Sequence, residues 1–202
     1  MRKRIYKPHR NQARNRAPEP SALKGLAAGV IGGLVASWVM SEFQSLASKL
    51  SPDDGNEAQQ SSKGKSGEKQ SGTKDSKTQK QDADQDDATV KAAQAISENL
   101  LDHRLTKSEK KPAGSAVHYA MGATSGAIYG ITAELTPIVT AGAGVPFGAA
   151  VWLIADDVAV PALGLSKSPT EYPFSTHANA LASHIVYGIT TDIVRRVVMR
   201  AL

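Results

Sequence analysis

The chain has 202 residues, a net charge of +5 and no cysteine. The lack of cysteine excludes a disulfide-stapled secreted domain and a cysteine-ligated metal site. A uniform soluble globule is also excluded, because residues 51–89 contain no Val, Ile, Leu, Met, Phe, Trp or Tyr, whereas residues 113–155 contain one full charge, Glu134. The pattern predicts a small membrane protein with a disordered insert.

Positive charge is concentrated at the amino end. Residues 1–24 carry eight Lys or Arg and one acid, Glu19. A basic flank beside an apolar run is typical of the retained side of a membrane helix, so we predict a basic cytoplasmic tail. A nucleic-acid-binding arm over residues 1–16 is the alternative, which we do not favour, and we expect no nucleic-acid partner.

The first transmembrane helix is predicted over residues 25–43. It contains seventeen consecutive uncharged residues, which is more than the 7–15 of a secretory signal, so an uncleaved anchor is favoured over cleavage near residue 47. Small residues recur in it at every fourth position and form a predicted helix-packing ridge of Gly25, Gly29, Gly33 and Ser37. Such a ridge lets another helix approach closely.

Two segments without membrane character follow. Residues 51–88 are rich in Ser, Lys, Gln, Asp and Gly and predict a disordered hydrophilic linker. Residues 89–104 predict a short amphipathic helix, because Val90, Ala93, Ile96 and Leu100 recur at helical spacing.

Residues 107–202 predict a membrane domain with three more helices, at about 113–133, 137–160 and 174–194. Thr106 and Glu109 fit a capping box at its start, and Pro146 predicts a kink or break in the second helix. The first helix carries a second ridge of small residues, Gly114, Gly122, Gly126 and Gly130.

The predicted fold class is therefore all-α: a membrane bundle of four transmembrane helices, with a short amphipathic helix and a disordered linker. An even number of spans places both basic ends in the cytoplasm. The bilayer is then a partner, and the ridges favour a homo-oligomer or a membrane-protein partner as well.

Six ionisable residues fall at or near membrane depth, where each needs a partner or water: His118, Glu134, Asp156, Asp157, His177 and His184. Structural hydrogen bonding is the favoured interpretation. Proton or ion handling is the second, because histidine titrates near neutral pH. A Zn²⁺ site is the third, although no standard ligand spacing is present. We interpret Glu134 as a solvated turn residue, and Asp192 with Arg195 and Arg196 as a surface ion pair.

Several motifs resemble those of a known family. They are AVHYAMG at residues 116–122, DDVAVPALGLS at 156–166, STH at 175–177, ASHIVYG at 182–188, and the pair Arg195-Arg196. The chain resembles the YagU-like family of bacterial inner-membrane proteins, a domain of unknown function, from about residue 25 to 196. The resemblance implies a multi-pass protein of the bacterial inner membrane and supplies no reaction, substrate or catalytic residue.

No nucleophile elbow, phosphate-binding loop or dinucleotide motif is present, so we expect no enzyme activity and no cofactor. The first functional hypothesis is a non-enzymatic membrane protein that acts by helix packing or partner binding. The alternative is a small proton- or ion-linked transporter or channel with a His/Asp polar path, which the broken helix at Pro146 supports.

Overall fold

A computed structural model describes residues 21–50 and 88–202. Within these ranges the chain is all helix, turn and loop, with no strand. The predicted cytoplasmic tail, apart from its last four residues, and the predicted linker up to residue 87 lie outside the described residues.

Six α-helices are numbered here in chain order. They are α1 (Ala22–Leu50), α2 (Ala88–Leu101), α3 (Lys107–Leu135), α4 (Val145–Trp152), α5 (Val160–Ala162) and α6 (Phe174–Ala201). A 3₁₀ turn covers Pro137–Thr140, a π-helical segment covers Leu153–Ala159, and a second 3₁₀ turn covers Pro169–Glu171.

Helix α1 packs between α3 and α6. The two predicted ridges face each other: Gly29 lies against Gly126, and Gly33 lies against Gly122. A Cβ atom at any of these positions would collide with the carbonyl oxygen or the side chain across the contact. Only glycine permits this approach of one backbone to another. Gly114 is the exception in its ridge, because it packs against Val90 of α2 instead.

The segment after α3 differs from the single helix expected over about 137–160. Gly142, Ala143 and Gly144 have φ values of 79°, 52° and 85°. This left-handed backbone cannot continue a right-handed helix, so α4 begins only at Val145, with Pro146 in its first turn where proline is tolerated. The helix then widens into the π-helical segment, which carries Asp156 and Asp157.

Helix α2 lies on α3 through its buried residues Val90 and Ala93, while Leu100 and Leu101 stay exposed. Helix α3 begins directly after Thr106, as predicted, because the carboxylate of Glu109 accepts the backbone N–H of Thr106 at 2.8 Å. This bond satisfies a backbone donor that has no partner within the helix.

Two segments of the described chain are long and apolar enough to cross a membrane by length and composition: Ala22–Leu50 and Val145–Ala162. Helices α3 and α6 are each nearly thirty residues long, yet they do not meet the same criterion. Both are rich in Gly, Ala, Ser and Thr, and α6 ends in charged residues.

Candidate functional site

The six polar residues singled out in the sequence separate into two groups. Five of them, on α3, the π-helical segment and α6, form what we name the His–Asp cluster: His118, Asp156, Asp157, His177 and His184. The sixth, Glu134, lies toward the opposite end of α3 and contacts Arg195.

Two histidines of α6 pair with two consecutive aspartates. Nδ1 of His184 lies 3.0 Å from the carbonyl oxygen of Ala180 and 3.6 Å from Oδ2 of Asp156, and Nδ1 of His177 lies 3.4 Å from Oδ1 of Asp157. The histidines are seven residues apart, so two helical turns place them on one face of α6. The paired aspartates are neighbours in sequence, and π-helical geometry of this kind often marks functional sites.

His177 faces an acceptor at each ring nitrogen. Nε2 lies 2.9 Å from the carbonyl oxygen of Pro169, and Nδ1 faces the carboxylate of Asp157. A neutral imidazole has only one N–H, so it satisfies one of these acceptors.

Two polar atoms near these pairs have no partner within the described part of the chain. They are Nε2 of His118 and Nε1 of Trp152, and both are buried. His118 interacts electrostatically with Asp156, and the indole of Trp152 packs edge-on to His177 at 6.3 Å between ring centroids. Buried polar atoms of this kind are normally satisfied by water or by a ligand.

The His–Asp cluster is arranged as pairs and not as a single ligand set. Over residues 21–50 and 88–202, no group of three or more His, Asp or Glu side chains is close enough to hold a metal ion. The arrangement suits the holding and transfer of protons between neighbouring imidazole and carboxylate groups.

A second group, which we name the Arg195 cluster, comprises Glu134, Asp192, Arg195 and Arg196. Arg195 donates to Glu134 at 3.2 Å and to Asp192 at 3.3 Å, and Arg196 donates to Asp192 at 2.8 Å. Arg196 also donates to the carbonyl oxygen of Thr140, which ties the turn before α4 to α6.

The interpretation of Asp192 as a surface residue is wrong. Its exposed fraction is 1%, and that of Arg195 is 6%. The physical reason is α1, which covers this part of α6: a Cβ on Gly32 would meet the carbonyl oxygen of Thr191 at 2.8 Å. Glu134 is likewise partly buried by its pairing with Arg195, and its side chain is 18% exposed.

Three aromatic rings lie between the two clusters and are named here the aromatic layer: Tyr129, Phe147 and Tyr187. Phe147 stacks on Tyr129 at 4.3 Å between centroids and lies 5.9 Å from Tyr187. Tyr187 donates to the carbonyl oxygen of Gly122 at 2.7 Å, and Tyr129 donates to Asp192 at 2.9 Å. Sequence reasoning missed this layer, because isolated aromatics on three different helices leave no periodic signal.

A family model with the description "Protein of unknown function (DUF1440)" matches residues 77–193, which is more than half of the chain. No curated protein and no solved structure matches the chain.

Proposed function

The chain belongs to the DUF1440 family of proteins of unknown function, and we propose that it is a membrane protein with four spans. In this proposal, the His–Asp cluster handles protons or small cations. The proposed location is the bacterial inner membrane, in keeping with the resemblance to YagU-like proteins, with both chain ends in the cytoplasm.

The packing of α1 supports the four spans. Helix α1 is apolar enough to cross the bilayer, and its backbone contacts that of α3 from Gly25 to Gly33 and that of α6 at Gly32. Because α3 and α6 pack side by side with α1, we expect all three helices to lie at the same depth in the bilayer. The uncharged stretches 113–133 and 174–191 of α3 and α6 are about as long as the hydrocarbon core requires.

The ends of α1 and α6 support the topology. Nζ of Lys24, just inside α1, donates to the backbone oxygen of Leu202 at 2.8 Å, so the start of α1 and the end of α6 lie on the same side. Lys and Arg cluster at both ends, and positive charge is retained on the cytoplasmic side.

The topology is testable with single cysteines, because the native chain contains none. In intact spheroplasts, a membrane-impermeant maleimide is expected to label Lys167→Cys, in the loop before α6. Ile138→Cys, in the exposed turn after α3, is expected to react only after the membrane is opened. Labelling of both before opening contradicts the four-span arrangement.

The observation that carries the functional proposal is the double His–Asp pairing at membrane depth. Ionisable groups in the bilayer are costly, so they are retained mainly where they line an ion or proton path. The hypothesis of a helix-packing or partner-binding protein rested mainly on the two ridges of small residues. These ridges pack against each other within one chain, so they no longer favour a partner.

The test is proton and cation flux in sealed liposomes containing the purified protein. Flux by the unaltered protein is expected to fall by about tenfold or more in His184→Ala and in Asp156→Asn, since one positioned proton carrier typically contributes 10²–10⁴-fold to a transfer step. His103→Ala is the matched control, because His103 is exposed and pairs with Glu109 outside the bundle. Flat traces from correctly inserted protein, in the unaltered chain and in Phe147→Ala alike, refute the proposal.

A non-enzymatic partner-binding role is the second candidate. A groove of about 380 Å³ between α2 and α3 favours it, lined by Ile96 and by the small or apolar residues Val117, Ala120, Met121, Thr124, Ser125 and Ile128. A helix of a second copy or of another membrane protein fits such a surface. Crosslinking through Thr124→Cys in membranes is the test, with Thr132→Cys as the control outside the groove.

A further inference from the structure

We propose that the aromatic layer is a closed gate between the His–Asp cluster and the Arg195 cluster, and that Phe147 is the side chain that opens it. This inference rests on the proposed ion-handling function, which it deepens by naming the barrier in the path.

The order of residues along the helices places the layer between the clusters. On α6, His184 is followed by Tyr187 and then by Asp192, and the eight residues from His184 to Asp192 span about 12 Å. On α3, which runs in the same direction as α6, His118 is followed by Tyr129 and then by Glu134. The aromatic rings therefore lie between the two clusters along both helices.

Apolar side chains pack around the layer. Tyr187 is buried together with Ala36 and Met40 of α1, and Phe147 and Val151 of α4 pack against this group. Packed apolar side chains exclude water, and hydrophobic constrictions in channels block ions in this way.

Phe147 differs from the other two rings in how it is held. Both tyrosine hydroxyls are hydrogen-bonded, Tyr187 to Gly122 and Ser125 and Tyr129 to Asp192. Phe147 has no polar atom, so its ring is held by packing alone and leaves the layer without breaking a hydrogen bond.

The backbone around Phe147 is suited to a change of position. Helix α4 is only eight residues long, with left-handed residues before it and the π-helical segment after it. Short interrupted helices at membrane depth are typical of transporter binding sites. Gly148, the next residue, packs on the carbonyl oxygen of His184, so a shift of α6 at the His–Asp cluster reaches Phe147 directly.

The experiment measures proton flux in liposomes with a trapped pH-sensitive dye. Phe147→Ala is expected to raise the flux by about tenfold, equivalent to lowering the barrier by about 1.4 kcal/mol. Phe147→Trp is expected to keep the unaltered rate, because it still fills the layer. Ile31→Ala, on the exposed face of α1, is the matched control for loss of a large apolar side chain.

The outcomes separate this inference from the proposed function. If flux depends on His184 but Phe147→Ala leaves it unchanged, the gate is refuted and the proposed function stands. If Phe147→Ala raises flux equally with and without His184→Ala, the gate stands and the path does not use the His–Asp cluster. No flux in any variant refutes both. Should Phe147→Ala not be recovered folded, Phe147→Leu takes its place under the same criteria.

Discussion

At Gly29, Gly33 and Gly126 the neighbour of the α-carbon is the backbone of another helix. In most proteins a flexible side chain yields to a new methyl group, but a carbonyl oxygen held in a helix cannot move without moving the helix. These positions therefore tolerate less added volume than the aromatic layer does.

Gly29→Ala is expected to lower the free energy of unfolding in detergent by about 3 kcal/mol, at the upper end of overpacking effects. Its Cβ would meet the carbonyl oxygen of Gly126. Denaturant titration followed by circular dichroism measures the change. Ser115→Ala, at an exposed position of α3, is the control and is expected to stay within about 0.5 kcal/mol. Equal stability of the two variants contradicts the close packing.

Asp192→Ala is expected to cost about 3–5 kcal/mol, because it leaves the buried Arg195 with one carboxylate fewer. Arg195 already has an unpartnered Nε atom within the described residues. The same titration measures the loss, with Glu42→Ala at an exposed site of α1 as the control. A loss below about 1 kcal/mol, the range of surface ion pairs, shows that the carboxylate is solvated.

Among the helices, the amino end of α3 is the best suited to a pH measurement, because the pKa of its carboxylate Glu109 is strongly lowered. The backbone N–H and the hydroxyl of Thr106 both donate to Glu109, and His103 lies beside it, which together lower the pKa of Glu109 to about 2. Because the pKa of Glu109 is lowered, the cap stabilises the folded state at pH values above 4.5, the ordinary pKa of this group. This stabilisation is lost as the pH falls through about 2.

Thr106→Ala is expected to shift the titration of Glu109 upward, toward its ordinary pKa, because the hydroxyl donor is removed. Carbon-detected NMR of labelled Glu side chains follows this titration directly. Thr132→Ala, whose hydroxyl bonds only within its own turn of α3, should leave the titration where it was. An unshifted midpoint in Thr106→Ala indicates that the hydroxyl bond is not formed.

Helix starts were more predictable from sequence than helix interruptions. The capping box located α3 because its residues act within one turn. The break before α4 was placed only roughly, at Pro146, because Ala143 in a left-handed conformation has no sequence signature. The π-helical segment, which carries Asp156 and Asp157, was not predicted.

At the scale of the whole molecule, the sequence indicates which ionisable residues stand in apolar stretches, but it does not indicate how they group. Composition identified the ionisable residues in apolar surroundings, including His118 and His184. Whether Glu134 joins them depends on helix packing, which local sequence does not encode. Asp192 was misplaced for the same reason, because its i+3 and i+4 arginines have the same spacing at a surface and in a core.

Helix α1 is joined to the rest of the bundle by residues 51–87 but is held by the facing ridges. Two separate chains, residues 1–60 and 77–202, are therefore expected to copurify when produced together in one membrane. Gly29→Leu in the shorter chain is expected to abolish recovery, because the ridge no longer closes. Leu34→Ala, on the exposed face of α1, is the control. Copurification that survives Gly29→Leu refutes ridge-driven assembly.

The separation of the two ridges along the chain has a consequence for biosynthesis. Helix α3 ends 85 residues after α1 does (135 − 50). At about 5–20 residues per second, the ribosome needs roughly 4–17 s to supply them. In the proposed membrane arrangement, the glycines of α1 are uncovered during that interval, and the α3 of a second nascent chain offers the same complementary surface. We therefore expect exchange of α1 between nascent copies to be the assembly error to which this molecule is most prone.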